Sequence, residues 1–232
     1  MIAGLLRCGA RLQRYRHLDM DQLEAMLAGA DGRTVFVVTE IVFSMDGDYP
    51  DMGRMASLKR RHGFFWVVDE ARGLGWYGAQ GAGLAREAGA VEAVDVLVGT
   101  LGKTLASGGA YTLFRDEAVR DQVMNMAGEL IYSTAMPPTS AAGARAAVER
   151  VKELSAEQAG GQAMSRRFRE RLRAEGWDAM EGDSPVVPVK IGDAGETVAL
   201  ANALRDAGIV AGAVRPPTVP EGTSRLRFSL KR

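Results

Sequence analysis

Lys103 stands in the segment Thr100-Leu-Gly-Lys-Thr-Leu-Ala-Ser-Gly-Gly109, just past an apolar run, and Asp69 closes an earlier one, Phe64-Phe-Trp-Val-Val-Asp69. A lysine captures a carbonyl as a Schiff base when its ammonium is held where it can lose a proton. Small neighbours such as Gly102, Ser107, Gly108 and Gly109 let a flat ligand approach the backbone. An aspartate at a strand end is the usual partner of the pyridinium nitrogen of pyridoxal phosphate, so the two residues together imply that cofactor. The chain has five lysines, at 59, 103, 152, 190 and 231, and only Lys103 lies in a Thr/Gly/Ser segment. The competing reading is a surface lysine on a loop, and for one residue taken alone the two stand level.

The elements that must position these residues read as alternating strands and helices. Thr34 to Thr39, Phe64 to Asp69 and Val94 to Val98 are short and almost wholly apolar, as strands buried on both faces should be. Asp51 to His62 places Met52, Met55 and Leu58 on one helical face, ends in basic residues and stops at Gly63. This is βαβ organisation. Ala110 to Phe114 reads as a further strand, antiparallel because Ser107 to Gly109 is too short for a crossover. One helix is expected over Arg115 to Glu129, and another from Thr139 to about Glu175, bent or broken at Gly160-Gly161 and stopped by Gly176. Val186 to Ile191, a helix over Gly195 to Ala207, Ile209 to Val214 and Arg225 to Leu230 give strand, helix, strand, strand. The expected class is α/β, divided into residues 1–150 and a smaller unit, 151–232.

Bulk properties narrow the function. With 47% apolar residues, the 232-residue chain is expected to bury one large α/β domain, or a domain plus a smaller one. Its net charge is zero and its basic residues are interspersed with acids, which argues against nucleic acid or an anionic membrane as partner. The lone Cys8 excludes an internal disulfide, and Cys8, His17 and His62 make no zinc-ligand spacing, so no metal is expected. No apolar stretch approaches bilayer length, and the start is too short for a secretory signal, so the default location is cytoplasmic.

Two glycine motifs are decoys. Gly73-Leu-Gly-Trp-Tyr-Gly78 fits G-x-G-x-x-G, but Asp69-Glu-Ala-Arg72 intervenes after the strand and would set two carboxylates against the phosphates. Gly102-Lys-Thr104 has the ending of a P-loop, yet position 97, where the first glycine belongs, is leucine.

Five segments occur in the order seen in one family. They are Thr39 to Asp48 (TEIVFSMDGD), Val68 to Gly75 (VDEARGLG), Gly99 to Leu105 (GTLGKTL), Ile131 to Pro138 (IYSTAMPP) and Val214 to Arg227 (VRPPTVPEGTSRLR). From about residue 10 onward the chain resembles the α-oxoamine synthases, pyridoxal phosphate enzymes of fold type I. The resemblance implies a large domain with a mostly parallel sheet, a small C-terminal α+β domain, and decarboxylative condensation of an amino acid with an acyl thioester.

By that resemblance Lys103 would be the Schiff-base lysine that also moves the α-proton, and Asp69 would hold the pyridinium nitrogen. Thr100 would lie near the cofactor phosphate. Ser44 would line the ring edge, or be a turn serine. Ser133 and Thr134 would reach the phosphate of the neighbouring subunit in a homodimer, or be a helix N-cap before Pro137 and Pro138. Arg227 would grip the amino-acid carboxylate with its planar fork, and Arg215 is the second candidate for that task. Arg225 should share the face of Arg227, with a solvated strand edge as its alternative.

The sequence departs from the family pattern in two ways. Where the family has Asp-x-x-His, this chain has Asp69-Glu-Ala-Arg72. Arg72 could donate to the phenolic oxygen of the cofactor but cannot take a proton at neutral pH; its alternative is to turn outward. The family's chains also begin well upstream and continue past the last strand, so a fragment or shortened homologue is expected, with strand edges exposed. Another pyridoxal phosphate enzyme of the same fold, such as an aminotransferase, and a non-catalytic subunit are the other readings. The paired Lys103 and Asp69 speak against the last.

Overall fold

The computed structural model describes residues 2–30 and 32–231. The apolar runs form β1 (Phe36–Glu40), β2 (Phe65–Asp69) and β3 (Val96–Thr100), paired in parallel, and β4 (Ala110–Phe114) is antiparallel to β3 as its short connection requires. Helices α1 (Ile2–Arg7), α2 (Met20–Ala28), α3 (Met52–His62) and α4 (Leu84–Glu87) belong to this half. Asp51 caps α3 by accepting the Arg54 N–H, and Gly63 ends it in the left-handed region at φ 66°. Met52, Met55 and Leu58 of α3, with Met20, Leu23 and Leu27 of α2, pack on Val37, Trp66 and Val68. Each such side chain contributes about 1.5–3 kcal/mol when fully buried. Sequence reasoning passed over α2, although Asp19 caps it by accepting the Gln22 N–H.

Strands β1 and β2 are not buried on both faces, although Val96 and Leu97 at the start of β3 are both buried. Val37, Thr39, Trp66 and Val68 face α2 and α3 and are buried, whereas Val38, Phe65 and Val67 on the other face are half-buried and Phe36 is 59% exposed. The half-covered face carries the candidate site. Among the described residues, β1 and β4 are the outer strands of the sheet.

The second half holds α5 (Glu117–Met126), α6 (Gly128–Ile131), α7 (Pro138–Lys152) and α8 (Ser155–Ala174). The strands β5 (Asp178–Ala179), β6 (Val186–Gly192), β7 (Gly212–Val214) and β8 (Ser224–Ser229) form an antiparallel sheet in the order β5-β6-β8-β7, with α9 (Ala194–Asp206) between β6 and β7. Three expectations need correction. The helix over 115–129 is interrupted at Ala127, whose ψ of 98° is extended. The long helix breaks at Glu153 and Leu154, while Gly160 and Gly161 lie inside a continuous α8. Gly161 is there for space: a Cβ would come within 3.0 Å of the Trp76 ring. The strand expected from Ile209 begins only at Gly212, because the Ile209 N–H still bonds the Leu204 carbonyl at the end of α9 and Val210 is 80% exposed.

Polar contacts join the halves. Asp183, before β6, accepts from Tyr77 Oη at 2.7 Å and Tyr49 Oη at 3.3 Å, pairs with Arg166 at 3.1 Å, and takes the Trp76 indole N–H on its carbonyl at 2.8 Å. Gly47 has φ 66°, and a Cβ there would sit 2.1 Å from the Val186 carbonyl oxygen. The turn after β1 is thereby pressed onto the start of β6.

Candidate functional site

In a strand, alternate residues share a face, and Glu40, Asp69 and Thr100 all occupy the half-covered side at the C-terminal ends of β1, β2 and β3. Glu40 is the register partner of Asp69, and Asp69 that of Val98, two residues before Thr100. Asp69 Oδ1 accepts the Ala71 N–H at 2.9 Å, and its other oxygen accepts nothing from a described residue. Lys103 follows β3 in a turn, where its Nζ donates to Thr100 Oγ1 at 3.3 Å. Partial burial and the nearby Arg72 cation hold the Lys103 ammonium below the usual lysine range, against the opposing pull of Asp69 and Glu40. A lysine so shifted has more free amine to attack a carbonyl.

Arg72 turns inward, its Nη1 3.5 Å from Glu40 Oε2, which rules out the outward alternative. Burial raises the Glu40 carboxyl, opposed by Arg72 and by the Ser44 backbone N–H that it accepts. Sequence reasoning gave Glu40 no role. Its signal was a carboxylate closing an apolar run as Asp69 does, but only strand register sets the two side by side.

Ser44 lies in the turn after β1, and its carbonyl accepts from Arg227 Nη1 at 3.3 Å. The Arg227 Nε is buried and has no partner among the described residues. Arg225 shares its face and reaches Asp46 and the Met45 carbonyl, from a strand that lies between β6 and β7, so the solvated-edge alternative fails. Arg215 is exposed between β7 and β8 and makes no side-chain hydrogen bond to a described residue.

Ser133 and Thr134 are also exposed, and Ser133 Oγ donates back to the Glu129 carbonyl. The N-cap of α7 is Pro137, with no side-chain cap, which overturns the N-cap alternative for this pair. Among the described residues no hydrogen bond or ion pair ties them to the Lys103 cluster. Their segment does return to the glycine-rich turn: Met136 packs over Gly109, and Ser107 Oγ donates to the Ser140 carbonyl at 2.7 Å.

The first of the decoy glycines, Gly73, makes room for a buried acid. Glu70 accepts the Leu84 N–H at 2.8 Å and the Ala85 N–H at 3.2 Å, and a Cβ on Gly73 would fall 1.8 Å from its Oε1. Burial pushes the Glu70 carboxyl up to about 7.

The site therefore offers an amine with lowered proton affinity, a carboxylate oxygen without a partner, a hydroxyl beside the amine, and an arginine donor awaiting an acceptor. These suit pyridoxal phosphate and an amino-acid carboxylate.

The family model for aminotransferase class I and II matches residues 1–231. An 8-amino-7-oxononanoate synthase from Chlorobaculum parvum is 45% identical over 233 residues, covering 100% of this chain and 59% of that protein. Among solved structures, a Sphingomonas wittichii serine palmitoyltransferase superposes with TM-score 0.93 at 29% identity, over 99% of this chain and 58% of that one. A serine palmitoyltransferase from S. paucimobilis with bound PLP-myriocin aldimine gives TM-score 0.92 at 26% identity, again over 99% and 58%. The chain thus spans less than two thirds of the length of these relatives. Its fold is that of the fold-type I pyridoxal phosphate enzymes.

Proposed function

We propose that this chain, which belongs to the aminotransferase class I and II family and within it to the α-oxoamine synthase group, carries the lysine-bearing part of an 8-amino-7-oxononanoate synthase. The reaction joins L-alanine to a pimeloyl thioester, with loss of the thiol carrier and carbon dioxide, in biotin synthesis. The observation that carries this reading is the gathering of Lys103, Asp69 and Thr100 at adjacent strand ends, with Arg227 brought to the neighbouring Ser44 turn. It is supported by the 45% identity to the C. parvum enzyme.

Bound pyridoxal phosphate would supply a ring that draws electron density from the carbon bearing the amino group. Lys103 takes and returns the α-proton with its amine. Asp69 would accept the ring N–H on the oxygen that Ala71 leaves free. Thr100 would place its hydroxyl toward the phosphate. Arg72 would donate to the phenolic oxygen, and Ser44 would line the ring edge. Arg227 orients the alanine carboxylate through its unpartnered Nε, with Arg215 the second cation at hand. Ser133 and Thr134 would reach the phosphate held by a second copy in a homodimer. The same reading divides the chain into residues 1–150 of the cofactor-binding domain and 151–232 of the small domain, and places the enzyme in the cytoplasm. Among the described residues no helix is long and apolar enough to cross a membrane.

The superposition on serine palmitoyltransferases favours one second reading, a sister enzyme of the same group with another amino acid and acyl chain. The test mixes the full chain with pyridoxal phosphate: an absorbance band near the visible edge is expected, and it disappears in Lys103→Ala. Absence of the band refutes the reading. Thiol release from L-alanine with pimeloyl, acetyl or palmitoyl thioesters then chooses between the two enzymes.

A further inference from the structure

The turn that carries Lys103 has buried ends and an exposed middle. Leu101 and Leu105 are buried in one cluster with Ala144 of α7, whereas Gly102, Lys103 and Thr104 between them are exposed. Backbone bonds close the turn on itself: the Ala106 N–H donates to the Lys103 carbonyl at 3.2 Å, and the Ser107 N–H to the Leu101 carbonyl at 2.9 Å. These bonds shape the turn, but they do not fix where its exposed middle stands relative to β2, on which Asp69 is borne.

Thr104 supplies that tie. Its Oγ1 donates to the Leu74 carbonyl at 2.7 Å, and among the described residues no other side-chain hydrogen bond joins Gly102, Lys103 or Thr104 to a distant segment. The threonine is also seated by shape. Gly75, the middle glycine of the G-x-G-x-x-G decoy, has φ 77°, and a Cβ there would fall 2.1 Å from Thr104 Cγ2. The acceptor loop is itself held fast. The Gly73 N–H donates to the Glu70 carbonyl at 3.0 Å and the Gly75 N–H to the Gly81 carbonyl at 2.8 Å. Gln162 of α8 donates to the Trp76 carbonyl at 2.8 Å, and the Trp76 indole is anchored on Asp183. This loop leaves directly from the end of β2, so the Thr104 hydroxyl connects the backbone beside the lysine to the strand of Asp69.

We propose that Thr104 is a positioning residue for Lys103: its hydroxyl pins the lysine turn to the loop after β2 and so sets the amine against a carbonyl carbon held beside Asp69. The inference rests on the reading of Lys103 as the carbonyl-capturing lysine. In that step the Lys103 amine adds to the aldehyde carbon of pyridoxal phosphate, and the aldehyde oxygen leaves as water. An exposed turn freed from its tie presents the amine in the right place for a smaller share of the time. Loss of the hydroxyl should therefore slow capture at Lys103 and leave lysines elsewhere as they were.

The test follows pyridoxal phosphate onto the full chain by borohydride reduction at timed intervals, with the Lys103 peptide quantified by mass spectrometry against that of the exposed Lys190. In the parent, Lys103 is expected to react well ahead of Lys190. At a temperature where circular dichroism shows every variant folded, Thr104→Val, which keeps the shape without the hydroxyl, is expected to slow Lys103 about tenfold. Thr104→Ser, which keeps the hydroxyl, should stay within about twofold of the parent, and neither variant should change Lys190. A purely structural hydroxyl would lower the unfolding midpoint and leave the Lys103 rate in place. The proposal is overturned if Thr104→Val keeps the parent rate, if Thr104→Ser slows as much as Thr104→Val, or if Lys190 slows along with Lys103. Should Thr104→Val fail to fold, Thr104→Ala decides in its place: slowing supports the proposal and the parent rate overturns it. A parent Lys103 no faster than Lys190 removes the reading of Lys103 and this proposal with it, whereas a fast Lys103 that is indifferent to Thr104→Val refutes this proposal alone.

Discussion

Asp69 ends β2 on the half-covered face with one oxygen bonded to the Ala71 N–H and the other without a partner among the described residues, whereas Glu70, the next residue, uses its carboxylate on the N–H groups of Leu84 and Ala85. Glu70 is 1% exposed and lies against Gly73 and Gly83; Asp69 is half-buried and its charge acts on Lys103. Strand alternation alone sends the two neighbours to opposite sides. A buried acid whose acceptors are all met holds the fold together, and chemistry belongs where an acceptor or a charge is left over.

The largest effect that sharpens this contrast is on the Asp69 side. Asp69→Asn should leave pyridoxal phosphate capture by Lys103 intact but slow exchange of the alanine α-hydrogen in deuterated water about 1000-fold, followed by NMR, with unfolding little changed. Equal loss of stability and exchange would break the distinction.

On the Glu70 side the effect should appear in stability instead. Burial lifts its carboxyl to about 7, above the ordinary glutamate value of 4.5, so the protonated form is favoured by folding. That contribution is fully present below about 4.5 and lost as pH rises through about 7, a decline on the order of 3 kcal/mol. Urea unfolding between those limits should show the slope, and Glu70→Gln should flatten it. A slope unchanged in Glu70→Gln would assign it to other groups.

Smaller effects compare the two arginines. Arg227→Ala should weaken apparent alanine binding about 100-fold, because a buried donor is removed from its carboxylate, while exposed Arg215→Ala should change it less than about threefold. Steady-state KM for alanine at saturating thioester is the measurement. Reversal of the order would move the carboxylate grip to the β7–β8 connection.

Much of the first half was legible in the sequence. Apolar runs closing in Asp69 and preceding Lys103 set the first at a strand end and the second in the turn just after a strand, and the face of Met52, Met55 and Leu58 gave α3 its buried side. What periodicity cannot carry is register between strands distant in the chain, which is why Glu40 went unassigned until β1 paired with β2. The orientation of Arg72 depends on that same pairing. Gly160-Gly161 misled because helix propensity is local, whereas the ring of Trp76, far away in sequence, decides what fits at Gly161. The shortened β7 has a similar cause, since the end of α9 keeps hold of the Ile209 N–H.

The turn between Phe43 and Asp48 has contacts on three sides: Glu40 from β1, Arg225 and Arg227 from β8, and Val186 against Gly47. Because a Cβ at Gly47 would collide with the Val186 carbonyl oxygen, any larger residue there would have to part the turn from β6, and with it the Ser44 carbonyl from Arg227.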